Sequence, residues 1–295
     1  MKKLSTLLLI SILAFNISFA QVDDKFSFLD ENEVKNFGKP LVTAFGIGMN
    51  TGTFYTAKVS SLFGFSIGVR AMMIFIPDDQ LTFKPNLPKG YSSANGVEET
   101  ATIFGDKGGV YAGPYGMITY PNGINETNFP IFYPQATVSL LGTELLVRYV
   151  PLKVEDRSIT LFGIGVKHSV SQYIPLVPLD FAVQIMYNKF DVENLISSSH
   201  LAFSAQASKT FGMFTAYGGL QYESSKLTFD YTIKGDPASG NPLVRTDRKI
   251  SAEVEGDNTV RLTVGGALSL GFLVLNADYS LGAMSVASAG LTFEF

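Results

Sequence analysis

The stretch "LDFAVQIMYN", residues 179–188, alternates large apolar side chains with smaller or polar ones. A period of two is the signature of a β-strand, because successive side chains point to opposite faces. One face of this strand carries Leu179, Phe181, Val183, Ile185 and Tyr187. The other face carries the polar Asp180, Gln184 and Asn188 together with Ala182 and Met186. The pattern therefore predicts a strand that separates an apolar surrounding from a more polar one.

The same alternation recurs along the chain, in residues 63–71, 144–149, 201–208, 227–233, 260–269, 273–280 and 285–295. In "LTFDYTI", residues 227–233, it places Leu227 on the apolar face and Asp230 on the polar face. The last stretch, "SVASAGLTFEF", has Leu291, Phe293 and Phe295 on one side, so the chain ends within a strand. Such a segment has an obvious role if it pairs with the first strand and leaves no free sheet edge.

The N-terminus has the features of a secretory signal peptide. Lys2 and Lys3 precede an apolar run from Leu7 to Phe15, and Ser18 to Ala20 offers small residues for cleavage. We expect residues 1–20 to be removed. Residues 21–56 are expected to form a lead-in or plug segment, and residues 57–295 a β-barrel.

Composition narrows the fold class. The chain has no cysteine and only 16% charged residues, yet no part of residues 21–295 is apolar over 18 residues. An exported apolar chain without a spanning helix can still cross a membrane as a closed barrel. Basic residues are not clustered, which argues against nucleic acid as a partner.

The free-energy cost of placing a charged side chain in lipid predicts which face of each strand points into the barrel. An arginine on the lipid side at mid-membrane costs about 2–4 kcal/mol, so the charged residues within strands should face the lumen. These candidates are Arg70, Glu144, Arg148, Asp180, Asp230, Arg261 and Asp278. They could form a constriction that selects solutes, or ion pairs that fill a narrow interior; we favour the ion pairs.

The segment before the first clear strand leaves three alternatives open. It could be a helix that starts after Asp30 and lies in the periplasm, a plug in the barrel mouth, or a first strand with a glycine kink. For a plug, the small residues of "GIGMNTG", residues 46–52, would allow close backbone packing. The plug candidates are Phe45, Gly46, Gly48, Phe54 and Tyr55.

Three stretches carry a resemblance to known proteins: "GKPLVTAFGIGMNTGTFYTAK", "PQATVSLLGTELLVRYVP" and "LFGIGVKHSVSQYIPLVPLDFAVQ". They resemble an uncharacterised family of Gram-negative outer-membrane β-barrel proteins. More distantly, the chain resembles the long-chain fatty-acid transporter superfamily of the outer membrane. That second resemblance implies a barrel of about fourteen strands with an N-terminal hatch, and the passage of hydrophobic molecules.

The predicted fold is thus all-β, a transmembrane antiparallel barrel of about 12–14 strands with a possible N-terminal plug, located in the cell outer membrane. The favoured function is passive transport of small hydrophobic compounds. The alternative is a structural or adhesive barrel whose external loops bind a partner. Expected partners are outer-membrane lipid, a possible small hydrophobic ligand, and the barrel assembly machinery, which would read Leu291, Phe293 and Phe295.

Enzymatic activity is not expected, although a lipid hydrolase is the third alternative. Adjacent residues on a strand face opposite ways, so neither histidine can use the serine beside it. Ser198 and His200 do share a face, and Ser171 is within reach of His168 if that stretch is helical. No carboxylate and histidine spacing predicts a metal site, and no cofactor is expected.

Overall fold

The computed structural model describes residues 31–114, 116–154, 157–174, 177–193, 196–233 and 248–295, so the signal peptide expected at residues 1–20 lies outside the described residues. One helix, α1 (Glu31–Asn50), precedes the strands. The strands are β1 (Gly64–Phe75), β2 (Thr82–Phe83), β3 (Ser92–Ser93), β4 (Thr100–Ala101), β5 (Val110–Gly113), β6 (Gly116–Thr119), β7 (Asn128–Leu140), β8 (Thr143–Val154), β9 (Arg157–Ser169), β10 (Asp180–Val192), β11 (Ile196–Phe211), β12 (Phe214–Ile233), β13 (Arg248–Glu255), β14 (Val260–Leu270), β15 (Leu273–Leu281) and β16 (Ser285–Glu294).

The main sheet closes into an antiparallel barrel. Over the described residues, ten strands follow one another around the wall, in the order β1, β7, β8, β9, β10, β11, β12, β14, β15 and β16. The last of these, β16, pairs with β1 from Ser66↔Glu294 to Phe75↔Ser285, so no edge is left. An antiparallel barrel fold is therefore confirmed.

The predicted count of about 12–14 strands is wrong. Residues 77–127 form two small separate sheets, β2–β4 and β3–β5–β6, instead of wall strands. At the other side of the barrel, β12 alone runs for 20 residues, and β13 pairs only with its far half, from Lys226 to Ile233. Because long strands contain more of the chain, fewer strands are formed, and ten strands close the wall.

The two ends of the barrel differ. Two-residue turns at 141–142, 212–213 and 271–272 join wall strands at one end, which we call the short-turn end. Gly142, Gly212 and Gly271 have φ between 61° and 72°, a left-handed conformation that glycine adopts without strain. The segment between β1 and β7 lies at the opposite end, which we call the long-loop end.

Alternation along the wall strands is clear: β1 repeats exposed and buried residues from Phe65 to Phe75. The prediction that Leu227 lies on the apolar outer face is wrong, because its side chain lies inside, in a cluster with Val42, Ile196 and Val254. The side chain of Asp230 lies outside the described part of the chain.

Helix α1 lies inside the barrel. Every residue from Pro40 to Asn50 is buried, and the helix packs on β1, β10, β11, β12 and β13. Its N-terminal half points to the long-loop end, where the carbonyl of Phe37 accepts a hydrogen bond from the amide of Ile103. Among the described residues, no helix has the length and apolar character needed to cross a membrane.

Candidate functional site: the occupied lumen

Three arginines converge on the C-terminal end of α1 from different sides of the wall. Arg70 on β1, Arg148 on β8 and Arg261 on β14 are each at most 3% exposed. The sequence predicts that all three face the lumen. A buried guanidinium needs hydrogen-bond acceptors, and here several of them come from the end of α1 and the turn that follows it.

Backbone carbonyls of residues 47–52 accept these bonds. Arg148 donates to the carbonyl of Met49 over 2.7 Å and to that of Thr51 over 3.0 Å. Arg261 donates to the carbonyl of Ile47 over 3.0 Å and to the Thr51 hydroxyl. Arg70 donates from Nε to the carbonyl of Gly52 over 3.2 Å. The final carbonyls of a helix have no partner within the helix and carry partial negative charge, so the arginines satisfy both needs.

Neutral groups complete the cap. The Tyr133 hydroxyl lies 2.7 Å from the carbonyl of Thr51 and 3.0 Å from that of Gly48. The guanidinium of Arg148 stacks over the Tyr133 ring at 4.1 Å and also donates to the side-chain oxygen of Gln135. These contacts hold the planar guanidinium of Arg148 in one orientation.

Glu223 is a member of this site that the sequence analysis missed. Its carboxylate lies 2.8 Å from Nε of Arg261 and accepts hydrogen bonds from Asn50 and Asn258. The signal was present, because Glu223 alternates with the exposed Tyr222 and follows Gln221 by two residues. The alternation predicted from the sequence starts only at Leu227, which it places on the wrong face.

The other predicted lumen charges lie away from α1. Glu144 forms an ion pair of 2.9 Å with Lys167, and Asp278 accepts a hydrogen bond of 2.8 Å from the Tyr217 hydroxyl. Asp180 is half-buried at the start of β10. The three arginines meet at the end of α1, whereas Glu144 and Asp278 have partners elsewhere on the wall.

The plug candidates all lie within or below the lumen. Phe45 packs edge-on against Phe190 and His200, with ring centroids 4.7 and 5.5 Å apart. Phe54 packs against Tyr217, and the Tyr55 hydroxyl donates to the Glu294 carboxylate. Burial, aided by that carboxylate, raises the pKa of Tyr55 well above its usual value, so this donor keeps its proton.

Gly46 and Gly48 explain how a helix fits in a ten-stranded barrel. A Cβ added at Gly46 would lie 2.5 Å from the Cβ of Ser225 on β12. A Cβ added at Gly48 would lie 2.3 Å from the Cδ1 of Ile131 on β7. The two contacts are on different walls, so α1 is wedged between them at the closest approach that a backbone allows.

The inner wall changes character along the barrel axis. Towards the long-loop end it is apolar, and its buried residues include Met72, Ile74, Phe129, Ile131, Val150 and Val286. Towards the short-turn end it carries hydroxyls, which line a vestibule of about 390 Å³ with Ser66, Thr137, Ser139, Thr210, Thr215 and Ser269. The arginine cluster separates the two regions.

The two histidines have different surroundings. His200 Nε2 lies 3.0 Å from the Ser198 hydroxyl, and both residues are buried beneath Phe45. His168 contacts Thr143, Gln172 and Tyr173, while the Ser171 hydroxyl bonds to Phe181 instead. Among the described residues, no three histidines or carboxylates lie close enough together to hold a metal ion.

The outward residues at the chain end lie where the alternation placed them. Leu291 and Phe293 are on the outer face of β16. Phe295 exchanges two backbone hydrogen bonds with Phe65, and their rings stack at 6.4 Å. Their recognition by the assembly machinery stays a prediction.

Comparisons with known proteins give one full-length match. A model described as a family of unknown function (DUF6588) matches residues 1–295. No curated protein matches the chain.

Solved structures show only a remote likeness. Ail of Yersinia pestis, in complex with a heparin analogue, is 11% identical, with 79% of this chain and 99% of that one covered at a TM-score of 0.24. The translocator domain of the autotransporter NalP from Neisseria meningitidis is 9% identical, with 86% and 93% covered at 0.28. The monoaromatic hydrocarbon channel CymD is 9% identical, with 86% and 96% covered at 0.23. These scores carry no argument about function, and the three structures do not support the resemblance to fatty-acid transporters.

Proposed function

The chain belongs to a protein family of unknown function, DUF6588, and we propose that it is an outer-membrane barrel that passes small hydrophobic compounds when α1 moves. The observation that carries this proposal is a lumen filled by a separate helix instead of by wall side chains. Ten strands suit a bacterial outer-membrane barrel, and the exposed apolar side chains of the wall suit lipid.

The apolar upper lumen supports a hydrophobic passenger. Phe37, Leu41 and Phe45 of α1 pack there against Ile74 and Phe129 of the wall. If the helix shifts, the surface it leaves is an apolar passage that opens beneath residues 76–127.

A redox-controlled lock tests the proposal, because the chain has no cysteine of its own. The hydroxyls of Thr56, in the segment below α1, and Ser208, on β11, lie 3.2 Å apart. A Thr56→Cys/Ser208→Cys variant should therefore form a disulfide that ties the plug to the wall. The control is Ser66→Cys/Thr137→Cys, which joins neighbouring wall strands at a hydroxyl pair 2.7 Å apart.

Uptake of N-phenylnaphthylamine, a hydrophobic fluorescent dye, is then followed in cells that express each variant. We expect oxidation to slow uptake severalfold in the locked variant, reduction to restore it, and neither to affect the control. Equal uptake by oxidised and reduced locked protein, or no gain over cells without the protein, would contradict the proposal.

An adhesive barrel is the second candidate, and one observation favours it. Residues 76–127 form an ordered module with Phe104, Tyr111 and Tyr120 buried in it. A folded surface at the long-loop end is what binding to a partner requires. A lipid hydrolase is disfavoured because Ser198 and His200 are sealed beneath α1.

A further inference from the structure

The arginine cluster is more strongly charged than a helix cap requires. Arg261 has a carboxylate partner in Glu223. Among the described residues, neither Arg70 nor Arg148 forms an ion pair; their partners are carbonyls, Gln135 and the Thr292 hydroxyl. Of these two guanidinium groups only that of Arg148 donates to a carbonyl of α1 itself, and the negative end of a helix is equivalent to only about half an elementary charge.

We propose that Arg70, Arg148 and Arg261 form an anion-binding site, and that the C-terminal carbonyls of α1 occupy it in the closed state. The ligand class is a small anion such as chloride or phosphate. This inference rests on the proposed function, because the site becomes free only when α1 moves.

The geometry of the donors supports this assignment. Arg148 presents two nitrogens side by side to the carbonyls of Met49 and Thr51, in the fork arrangement that also binds carboxylate or phosphate oxygens. Nη2 of Arg70 is buried and has no hydrogen-bond partner. The cluster therefore offers one donor that the helix does not satisfy, beside several that it does.

Departure of α1 would strengthen the site. The guanidinium groups would lose their carbonyl acceptors while remaining inside a narrow lumen. Glu223 is bound to Arg261, and Asp278 accepts a hydrogen bond from Tyr217; neither carboxylate forms an ion pair with Arg70 or Arg148. An anion from solution can then take the place of the helix carbonyls, and an opened pore should prefer anions.

Ion selectivity provides the test. A full-length Gly46→Val variant should displace α1, because the added atoms overlap Ser225. In planar bilayers with a KCl gradient, we expect its reversal potential to give a chloride-to-potassium permeability ratio of at least threefold. Adding Arg70→Gln and Arg148→Gln should bring the ratio to about one, whereas adding Lys226→Gln, an exposed cation on the outer face of β12, should leave it unchanged.

The outcomes separate the two proposals. A Gly46→Val pore that prefers potassium, or whose selectivity ignores the two arginine substitutions, overturns the anion site but leaves the channel intact. Absence of conductance in Gly46→Val and in Gly48→Val, which overlaps the opposite wall, overturns the proposed function and the anion site with it.

A chemical measurement leaves the sequence of α1 unchanged. Thr53→Cys places the only thiol of the protein directly after Gly52, and Thr53 is buried at 4% exposure. A negatively charged sulfonatoethyl methanethiosulfonate should modify this thiol at least threefold faster than its positively charged trimethylammonium analogue. Equal rates, or faster reaction with the cation, would overturn the anion site.

Discussion

At the scale of single residues, Glu223 has the largest predicted effect on stability. It is the carboxylate partner of Arg261, and both are almost fully buried. Glu223→Gln removes a buried charge and leaves Arg261 without a counter-ion, which should cost about 3–5 kcal/mol of unfolding free energy. Urea titration of the protein in lipid vesicles measures this change.

The matched control is Glu253→Gln, at an exposed ion pair with Lys226 on β12. Surface pairs contribute about 0–1 kcal/mol, so this variant should unfold close to the wild type. A Glu223→Gln variant as stable as the control would show that the helix carbonyls alone compensate Arg261.

The inward direction of Arg70, Arg148 and Arg261 followed from the sequence, because the cost of placing arginine in lipid decides the face. Their convergence did not follow. It depends on how the wall strands are staggered and on what fills the lumen. A period of two predicts which face of the strand a residue lies on. It does not predict the residue's height along the barrel axis, so neither property can be read from it.

At the scale of elements, α1 shows where local sequence preference fails. Gly38, Pro40, Gly46 and Gly48 all lie within it, and each is a poor residue for a helix interior. The sequence therefore left open a periplasmic helix, a plug and a first strand with a glycine kink. Inside the barrel the segment is nevertheless a helix. Small residues let its backbone pass between β7 and β12, and a helix satisfies its own backbone hydrogen bonds.

Removal of α1 should open the lumen without unfolding the barrel wall. Every wall strand keeps its two neighbours when residues 31–50 are deleted, because the helix is hydrogen-bonded to no strand as a sheet member. We expect the deletion variant to reach the membrane and to show at least a tenfold higher single-channel conductance than the wild type in planar bilayers.

The control for this deletion is Glu31→Gln/Lys35→Gln, which removes only an exposed ion pair on the same helix. Its conductance should equal that of the wild type. If the deletion variant assembles normally and its conductance does not rise, α1 is not the barrier to passage.

At the scale of the whole molecule, three layers follow one another along the barrel axis: an apolar upper lumen, the arginine cluster, and a hydroxyl-lined vestibule. The closed wall could be predicted because the alternation, together with the expected signal peptide, leaves few other folds. The strand number could not, since the resemblance suggested a larger barrel and the length of β12 is set by pairing with both β13 and β14.

Barrel closure depends on the final residue of the described chain. Phe295 exchanges two backbone hydrogen bonds with Phe65 and stacks on its ring, so it completes the seam between β16 and β1. Phe295→Ser keeps the backbone bonds but removes the aromatic end. We expect at least a threefold loss of assembled protein in the outer membrane, measured by heat-modifiable migration on gels, with unchanged dye uptake per assembled molecule.

Phe272→Ser, at an exposed turn residue that stacks on Phe293, is the control and should assemble normally. Equal assembly of both variants would exclude Phe295 as part of the sorting signal, whereas loss in both would assign the effect to the apolar rim at the short-turn end.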